Sequence, residues 1–230
     1  MKNMILIMIA IIGFCLISCD KDDVVDSSDD KRLENTVNIE DLCPDSHHPH
    51  IIDMGNAGKW SCCNVGASAP WEYGGYYAWG ETKEKQHYDY NNYIHSEGIQ
   101  DTYHDLGKDI AGTEYDVAYV RWGGDWRMPS LLQLYHLCEC TGETAILNGV
   151  RGAKFTSTNG NSIFLPTAGG GEYKPSVSVF NGFYWSSTVS SNNIELANGL
   201  KLFYTNQGLS SYTSASYRIR GYPVRPVIGK

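Results

Sequence analysis

The sequence predicts an α+β fold, with helices in the first half of the folded region and antiparallel strands in the second. Three observations carry that reading. Pro129-Ser130-Leu131-Leu132-Gln133 has the form of a helix capping box. Asn159-Gly160-Asn161 separates two strand-like runs, as in a tight hairpin. The 24 glycines and eight prolines of the 230-residue chain mark a turn-rich fold.

The elements follow in order. Ile51 to Met54 and Lys59 to Val65 read as the first two strands, with Gly55 and Gly58 between them. Residues 82–110 are polar, tyrosine-rich and without period, and read as a long surface loop. Thr113 is the expected cap of a first helix, with Asp116 in its first turn and Gly123-Gly124 as its stop. In the second helix the Ser130 hydroxyl and the Gln133 side chain satisfy free amides reciprocally. Leu131, Leu134, Tyr135 and Cys138 fall on one apolar stripe. Beyond Gly142 the expected strands are Lys154 to Thr158, Ser162 to Leu165, Phe183 to Trp185, Leu200 to Tyr204, Tyr217 to Arg220 and Tyr222 to Val227.

Ahead of this region, Lys2 precedes an apolar run from Met4 to Ile17. As a helix the run reaches about 21 Å at roughly 1.5 Å per residue. That is short for a bilayer core of roughly 30 Å but suits a signal peptide. It ends in Leu16-Ile17-Ser18-Cys19, which resembles the lipobox of bacterial lipoproteins. The resemblance implies cleavage after residue 18 and lipidation of Cys19, whose thiol can take the lipid as a thioether. Two or three acyl chains, at about 0.8 kcal/mol per buried CH₂, would hold the protein permanently on a membrane. Asp20-Lys21-Asp22-Asp23 resembles the tag that exports Bacteroidetes lipoproteins to the outer face of the outer membrane. The expected organisation is a signal peptide over residues 1–18, an acidic spacer over 19–45 and one domain over 46–230. The spacer is too poor in apolar residues to order itself.

Charge excludes one class of partner. The formal net charge is −8, and loss of Lys2 with the signal makes it −9. Nucleic acid requires clustered Lys and Arg, which are absent. Six tryptophans and sixteen tyrosines are many for this length. Such rings stack on sugar faces, although any single one serves the core more often. Of the seven cysteines, Cys15 leaves with the signal and Cys19 takes lipid. Outside the cytoplasm, Cys43, Cys62, Cys63, Cys138 and Cys140 can form one or two disulfides, with at least one thiol left over. Their spacing does not suit a zinc site.

Several blocks together resemble the FISUMP family, the fibrobacter-type major paralogous domain. They are Ile52-Asp53-Met54-Gly55, Lys59-Trp60, Cys63-Asn64-Val65-Gly66-Ala67 and Tyr73-Gly74-Gly75-Tyr76-Tyr77-Ala78-Trp79-Gly80-Glu81, then Asp116 with Trp122 to Ser130. Phe164-Leu165-Pro166-Thr167-Ala168-Gly169, Tyr184-Trp185-Ser186-Ser187-Thr188 and Gly221-Tyr222-Pro223-Val224-Arg225-Pro226-Val227 complete the set. The match covers residues 50–228. It implies a C-type-lectin-like domain, two helices packed on a twisted, mainly antiparallel sheet with long loops. It also implies a disulfide between Cys63 and Cys140, with Cys43, Cys62 and Cys138 as extras. A second bridge from Cys43 to Cys62 or Cys138 stays open. The family has threonine and glutamate where this chain has Ser130 and Gln133.

Candidate sites are weighed on their chemistry. The calcium-lectin motifs Glu-Pro-Asn, Gln-Pro-Asp and Trp-Asn-Asp are absent, and no acid cluster in the strand-rich half offers calcium its oxygens. His47, His48 and His50 have no completing acid or cysteine, so no metal or other cofactor is expected. Glu81, Asp125 and Arg127 read as a structural ion pair rather than as a catalytic acid with an arginine clamp. Ser186 and Ser187 lack the glycines of a nucleophile elbow. Trp71, Tyr73, Tyr76 and Tyr77 lie in a Gly/Pro-rich stretch and are the expected ligand-binding rings, with Tyr88, Tyr90, Tyr93 and Tyr103 of the long loop as further candidates. The expectation is a non-catalytic, lipid-anchored protein of the outer membrane, facing the cell exterior and binding a glycan or a surface protein. The alternatives are a structural or adhesive component of a surface assembly, such as a pilus tip, and an enzyme of the lectin-like fold.

Overall fold

The computed structural model describes residues 49–99, 102–171, 178 and 181–229. The signal peptide, Cys19, the spacer, Cys43, His47 and His48 lie outside the described residues. The described chain is built mostly of antiparallel sheet with two short helices, an α+β arrangement.

In the first sheet, β1 (Ile51–Asp53) and β2 (Lys59–Ser61) form a hairpin that sets Ile52 opposite Trp60. β10 (Val227–Ile228) lies along the other side of β2, with Val227 also opposite Trp60. β3 (Trp126–Arg127) completes the order β1-β2-β10-β3. The second sheet is the meander β4 (Thr141–Leu147), β5 (Val150–Thr156) and β6 (Ser162–Pro166). The third is the meander β7 (Asn181–Val189), β8 (Leu196–Thr205) and β9 (Gly208–Tyr217).

Helix α1 (Val117–Trp122) starts later than Thr113 predicts. Asp116 is the cap, because its carboxylate accepts from the amides of Ala118 (2.9 Å) and Tyr119 (3.1 Å). It also accepts from Gly112 at 2.8 Å and from Met128 at 3.0 Å, so one buried side chain ties the helix to the turn before it and to β3 beyond it. Helix α2 (Leu131–Cys138) carries the capping box as read, with Ser130 and Gln133 in both roles. Its buried face is Leu134 and Leu137, while Tyr135 points to solvent. The helix packs on β7, β8 and β9.

Three aromatic-rich cores fill the interior. The first collects Met54, Trp60, Leu134, Leu137, Phe155, Tyr184 and Leu202, and so joins all three sheets to α2. The second holds Tyr77, Trp79, Phe183, Trp185 and Tyr222. Two indoles cross-link it reciprocally. Trp79 Nε1 donates to Ser186 O and Trp185 Nε1 donates to Tyr77 O, each at 2.8 Å. The third is drawn from the stretch read as a surface loop. Tyr88, Tyr93 and Tyr103 are buried there with Ala78 and Ile219. The cause is Arg218, fully buried, whose guanidinium lies 4.7 Å from the Trp79 ring and 5.5 Å and 5.4 Å from Tyr93 and Tyr103. Its Nε donates to Tyr93 Oη at 2.9 Å and its Nη1 to His104 O at 3.0 Å. An irregular segment is thus folded inward around one cation.

A disulfide between Cys63 and Cys140 is not supported by the described residues. Cys63, Cys138 and Cys140 are free thiols. Cys63 is buried beside Cys62, against Ile52 and Trp122, whereas Cys140 follows α2 and donates to His136 O. The hydrogen bond to Cys62 and burial push the Cys63 thiol far above its ordinary range, so it is a poor nucleophile. In a Cys43→Ser variant, thiol titration of the denatured, never-reduced protein is expected to find Cys63, Cys138 and Cys140 all reactive. Recovery of Cys63 and Cys140 in one linked peptide would restore the bridge.

Candidate functional site

Alternation along β8 decides what the third sheet shows to water. Leu200, Leu202 and Tyr204 are buried, so Lys201 and Phe203 project from the opposite face. Register brings neighbours to them. Phe183 of β7 and Tyr212 of β9 stand beside Lys201, and Asn181 and Ser210 beside Phe203. Ser214 and Ser216 extend the same face along β9.

A groove of about 500 Å³ opens over this face, bounded on its far side by Gly169, Gly170, Arg220 and Tyr222. Aromatic rings form its floor. Tyr222 lies 4.4 Å from Phe183 between centroids, and Trp185 packs edge-on beneath Tyr222 at 4.9 Å. Two glycines permit this approach. A Cβ on Gly199 would stand 2.3 Å from the Phe183 ring and equally close to Tyr184 O. A Cβ on Gly170 would stand 2.2 Å from the Tyr222 ring, at a φ of +113°.

The polar groups converge on that floor. Ser216 Oγ lies 3.1 Å from Tyr222 Oη and accepts from Arg220 Nη1 at 3.3 Å. Arg220 also rests over the Tyr217 ring, 5.3 Å from its centroid. Lys201 Nζ lies 5.9 Å from the Tyr212 ring. Phe203, 39 % exposed, forms the rim. No Asp or Glu is among the described lining residues. The arrangement can bind a ligand with an apolar face, hydroxyls and an acceptor group.

A second hollow of about 500 Å³ lies between Asp109, Arg127, Ser130, Gln133 and Ile228. Its polar groups are already used. Arg127 Nη1 donates to Gly124 O at 2.8 Å and Trp126 O at 2.7 Å, and its guanidinium lies 4.5 Å from the Tyr119 ring. Ser130 and Gln133 are occupied in the capping box.

Of the expected ligand-binding rings, Trp71, Tyr73 and Tyr76 are partly buried, each packed against a different core. Tyr77 is 1 % exposed, a core residue whose backbone bridges to Tyr222, and it is withdrawn as a stacking surface. Trp71 packs half-buried against Ala145, Leu147 and Phe164. Tyr73 packs on the first core, and its carbonyl accepts from Asn64 Nδ2. Tyr76 donates its hydroxyl to Ala168 O. Tyr90 stands edge-on to Tyr103 at 6.3 Å.

The charged trio also separates. Glu81 is buried and paired not with Arg127 but with Lys85 at 2.6 Å, and its other oxygen accepts from the Ile94 amide at 2.9 Å. Asp125 is exposed. Ser186 Oγ donates to Asn198 O and Ser187 Oγ to Pro129 O. His50 meets Cys62, its ring Nδ1 3.7 Å from the sulfur. No group of three His, Cys, Asp or Glu among the described residues is placed to hold a metal ion.

Lys201, Phe203, Arg220 and Tyr222 were not singled out from sequence. The legible signal was Phe203, an aromatic at an outward position of an alternating strand. No protein-family model, curated protein or solved structure matches this chain.

Proposed function

We propose that this chain is a non-catalytic, lipid-anchored protein of the outer cell surface, whose domain binds an extracellular ligand, a glycan or a protein, in the groove over β7, β8 and β9. One observation carries the reading. The groove unites an aromatic floor, an exposed aromatic rim, and hydroxyl and cationic side chains, the usual composition of a specific binding site. The anchor rests on Leu16-Ile17-Ser18-Cys19, and the outward location on the acidic residues that follow. The resemblance to the FISUMP family supports a C-type-lectin-like domain, and two helices with antiparallel sheets agree with it in outline. Catalysis has little support, because Glu81 is neutralised by Lys85 and the described lining contains no carboxylate.

A second reading, an adhesive component of a surface assembly, is favoured by β9. Among the described residues it is an edge strand of ten residues, paired to β8 alone, and such an edge can accept a strand from a partner.

The test is a glycan array with residues 20–230, with and without EDTA. Saturable binding that survives EDTA and falls at least tenfold in Phe203→Ala is the expected result. Silence across the array would move the search to protein partners, with β9 as the first surface to probe.

A further inference from the structure

We propose that Lys85 and Asn92 join through an intramolecular isopeptide bond, with Glu81 as the base that prepares the lysine amine. This is a single event within the chain, independent of the groove and of any turnover of a substrate.

The three side chains meet in one place. Lys85 Nζ lies 2.7 Å from Glu81 Oε1 and 2.6 Å from Glu81 Oε2. It also donates to Asn92 twice, to the backbone carbonyl and, at 3.2 Å, to the side-chain Oδ1. The glutamate side chain is 3 % exposed and the lysine 19 %, so the pair is held away from bulk water. A lysine serving only as a surface counter-ion would spread its donors over solvent, whereas these bonds aim Nζ at a carboxamide. The surrounding chain fixes both partners. Asp89 caps the turn Tyr90–Asn92, accepting from the amides of Asn91 and Asn92 at 2.9 Å and 3.1 Å. On the other side the Lys85 amide donates to Tyr88 Oη at 3.0 Å, and Tyr88 is fully buried. Glu81 Oε1 is positioned by the Ile94 amide at 2.9 Å.

The chemistry needs an amine nucleophile, a base within hydrogen-bond reach and a carbonyl carbon close by. The reacting carbon, Cγ of Asn92, is bonded to Oδ1, so Nζ stands within about one bond length of a near-attack separation, roughly 3–3.5 Å. Glu81 takes one proton from the Lys85 ammonium along a bond already formed. The lone pair freed on Nζ attacks Cγ, and the carbonyl pair moves onto Oδ1, toward which the Asp89 amide is directed at 3.4 Å. The pair then returns, the Cγ–Nδ2 bond breaks, and Nδ2 leaves as ammonium with two of the Nζ protons, one of them carried by Glu81. A lysine ammonium and an asparagine carboxamide thus become a secondary amide and an ammonium ion, with no oxidant, reductant or cofactor. Nδ2 donates to His87 O on the exposed side, so the leaving nitrogen departs into water. The product closes residues 85–92 into a ring and removes conformations from the unfolded chain. It fastens the turn that lies between Tyr88 and Tyr93, both buried in the third core.

The experiment is peptide mass spectrometry on the full-length protein, purified in detergent, denatured and digested with trypsin. The expected product spans residues 84–108, is uncut after Lys85 and is lighter than its sequence by one ammonia, with fragment ions that join Lys85 to Asn92. Lys85→Arg and Asn92→Ala should each give peptides of full mass, and trypsin should cut again after Arg in the first. Glu81→Gln should leave Lys85 and Asn92 unlinked. The wild-type peptide decides the matter without any variant. Complete cleavage after Lys85 with no loss of mass would overturn the proposal. So would loss of ammonia from a peptide still cut after Lys85, which marks an asparagine closed on its own backbone. A link that persists in Glu81→Gln would overturn the role of Glu81 as base.

Discussion

Asp116→Asn is expected to lower the stability of the domain by about 2–4 kcal/mol, the range for a buried polar group left facing the wrong partner. All four of its partners, the amides of Gly112, Ala118, Tyr119 and Met128, are donors. The side chain is fully buried, so no water can substitute. An asparagine keeps one acceptor but turns an amide nitrogen, itself a donor, toward two of those N–H groups. Burial raises the carboxyl's pKa, and the backbone donors pull it back down. Protonation would bring the same conflict, since a hydroxyl there also finds only donors. Urea denaturation of the purified protein measures the loss. A change under about 1 kcal/mol would show that the cap matters locally to α1 and not to the joint with β3.

Trp185→Ala is expected to cost about 3–5 kcal/mol, the range for deleting a buried large aromatic. Trp185→Phe should cost only about 1 kcal/mol, that of a typical hydrogen bond. The difference separates packing from bonding. The indole N–H donates to Tyr77 O, but that carbonyl also accepts from the Tyr222 amide at 3.0 Å, so losing the indole does not orphan it. The ring itself packs against Tyr222 and lies 5.3 Å from Phe183, beneath the groove. Alanine would therefore let the groove floor sink as well. Thermal unfolding and glycan binding measured on both variants check this. Equal losses for Phe and Ala would place the energy in the hydrogen bond instead.

Local signals in the sequence were read well where the physics is local. The Ser130–Gln133 capping box and the hairpin around Asn159-Gly160-Asn161 involve neighbours in the chain, and both elements form where expected. The loop of that hairpin spans residues 157–161, with the pair Thr156 and Ser162 closing it. Strand β4 was missed because Thr141-Gly142-Glu143-Thr144 has no apolar alternation, and only Ala145 and Leu147 are buried along it. β9 was missed for most of its length. It is rich in serine and threonine and leaves most of its side chains at least partly in water. Thr113 and Asp116 are both good caps, and the choice between them was made by Met128, twelve residues away. The site suffered most from such distance effects. Tyr77 looked like a surface ring in a Gly/Pro-rich stretch, yet the chain there crosses the interior. Arg220 and Tyr222 join the groove only because the chain turns back after Tyr217 to reach Tyr77 and Gly171. No spacing in the sequence announces that turn.

The position of β10 has a consequence for how the molecule comes into being. Val227 and Ile228, remote from β2 in sequence, lie between β2 and β3 and bond to both. Until they arrive, β2 has only β1 beside it, and a two-stranded hairpin is marginal in water. The first sheet therefore closes only when β10 reaches β2, and contacts this remote in sequence form slowly. Closure of the first sheet is therefore a late step of folding, made only when two segments far apart in the chain meet at β2.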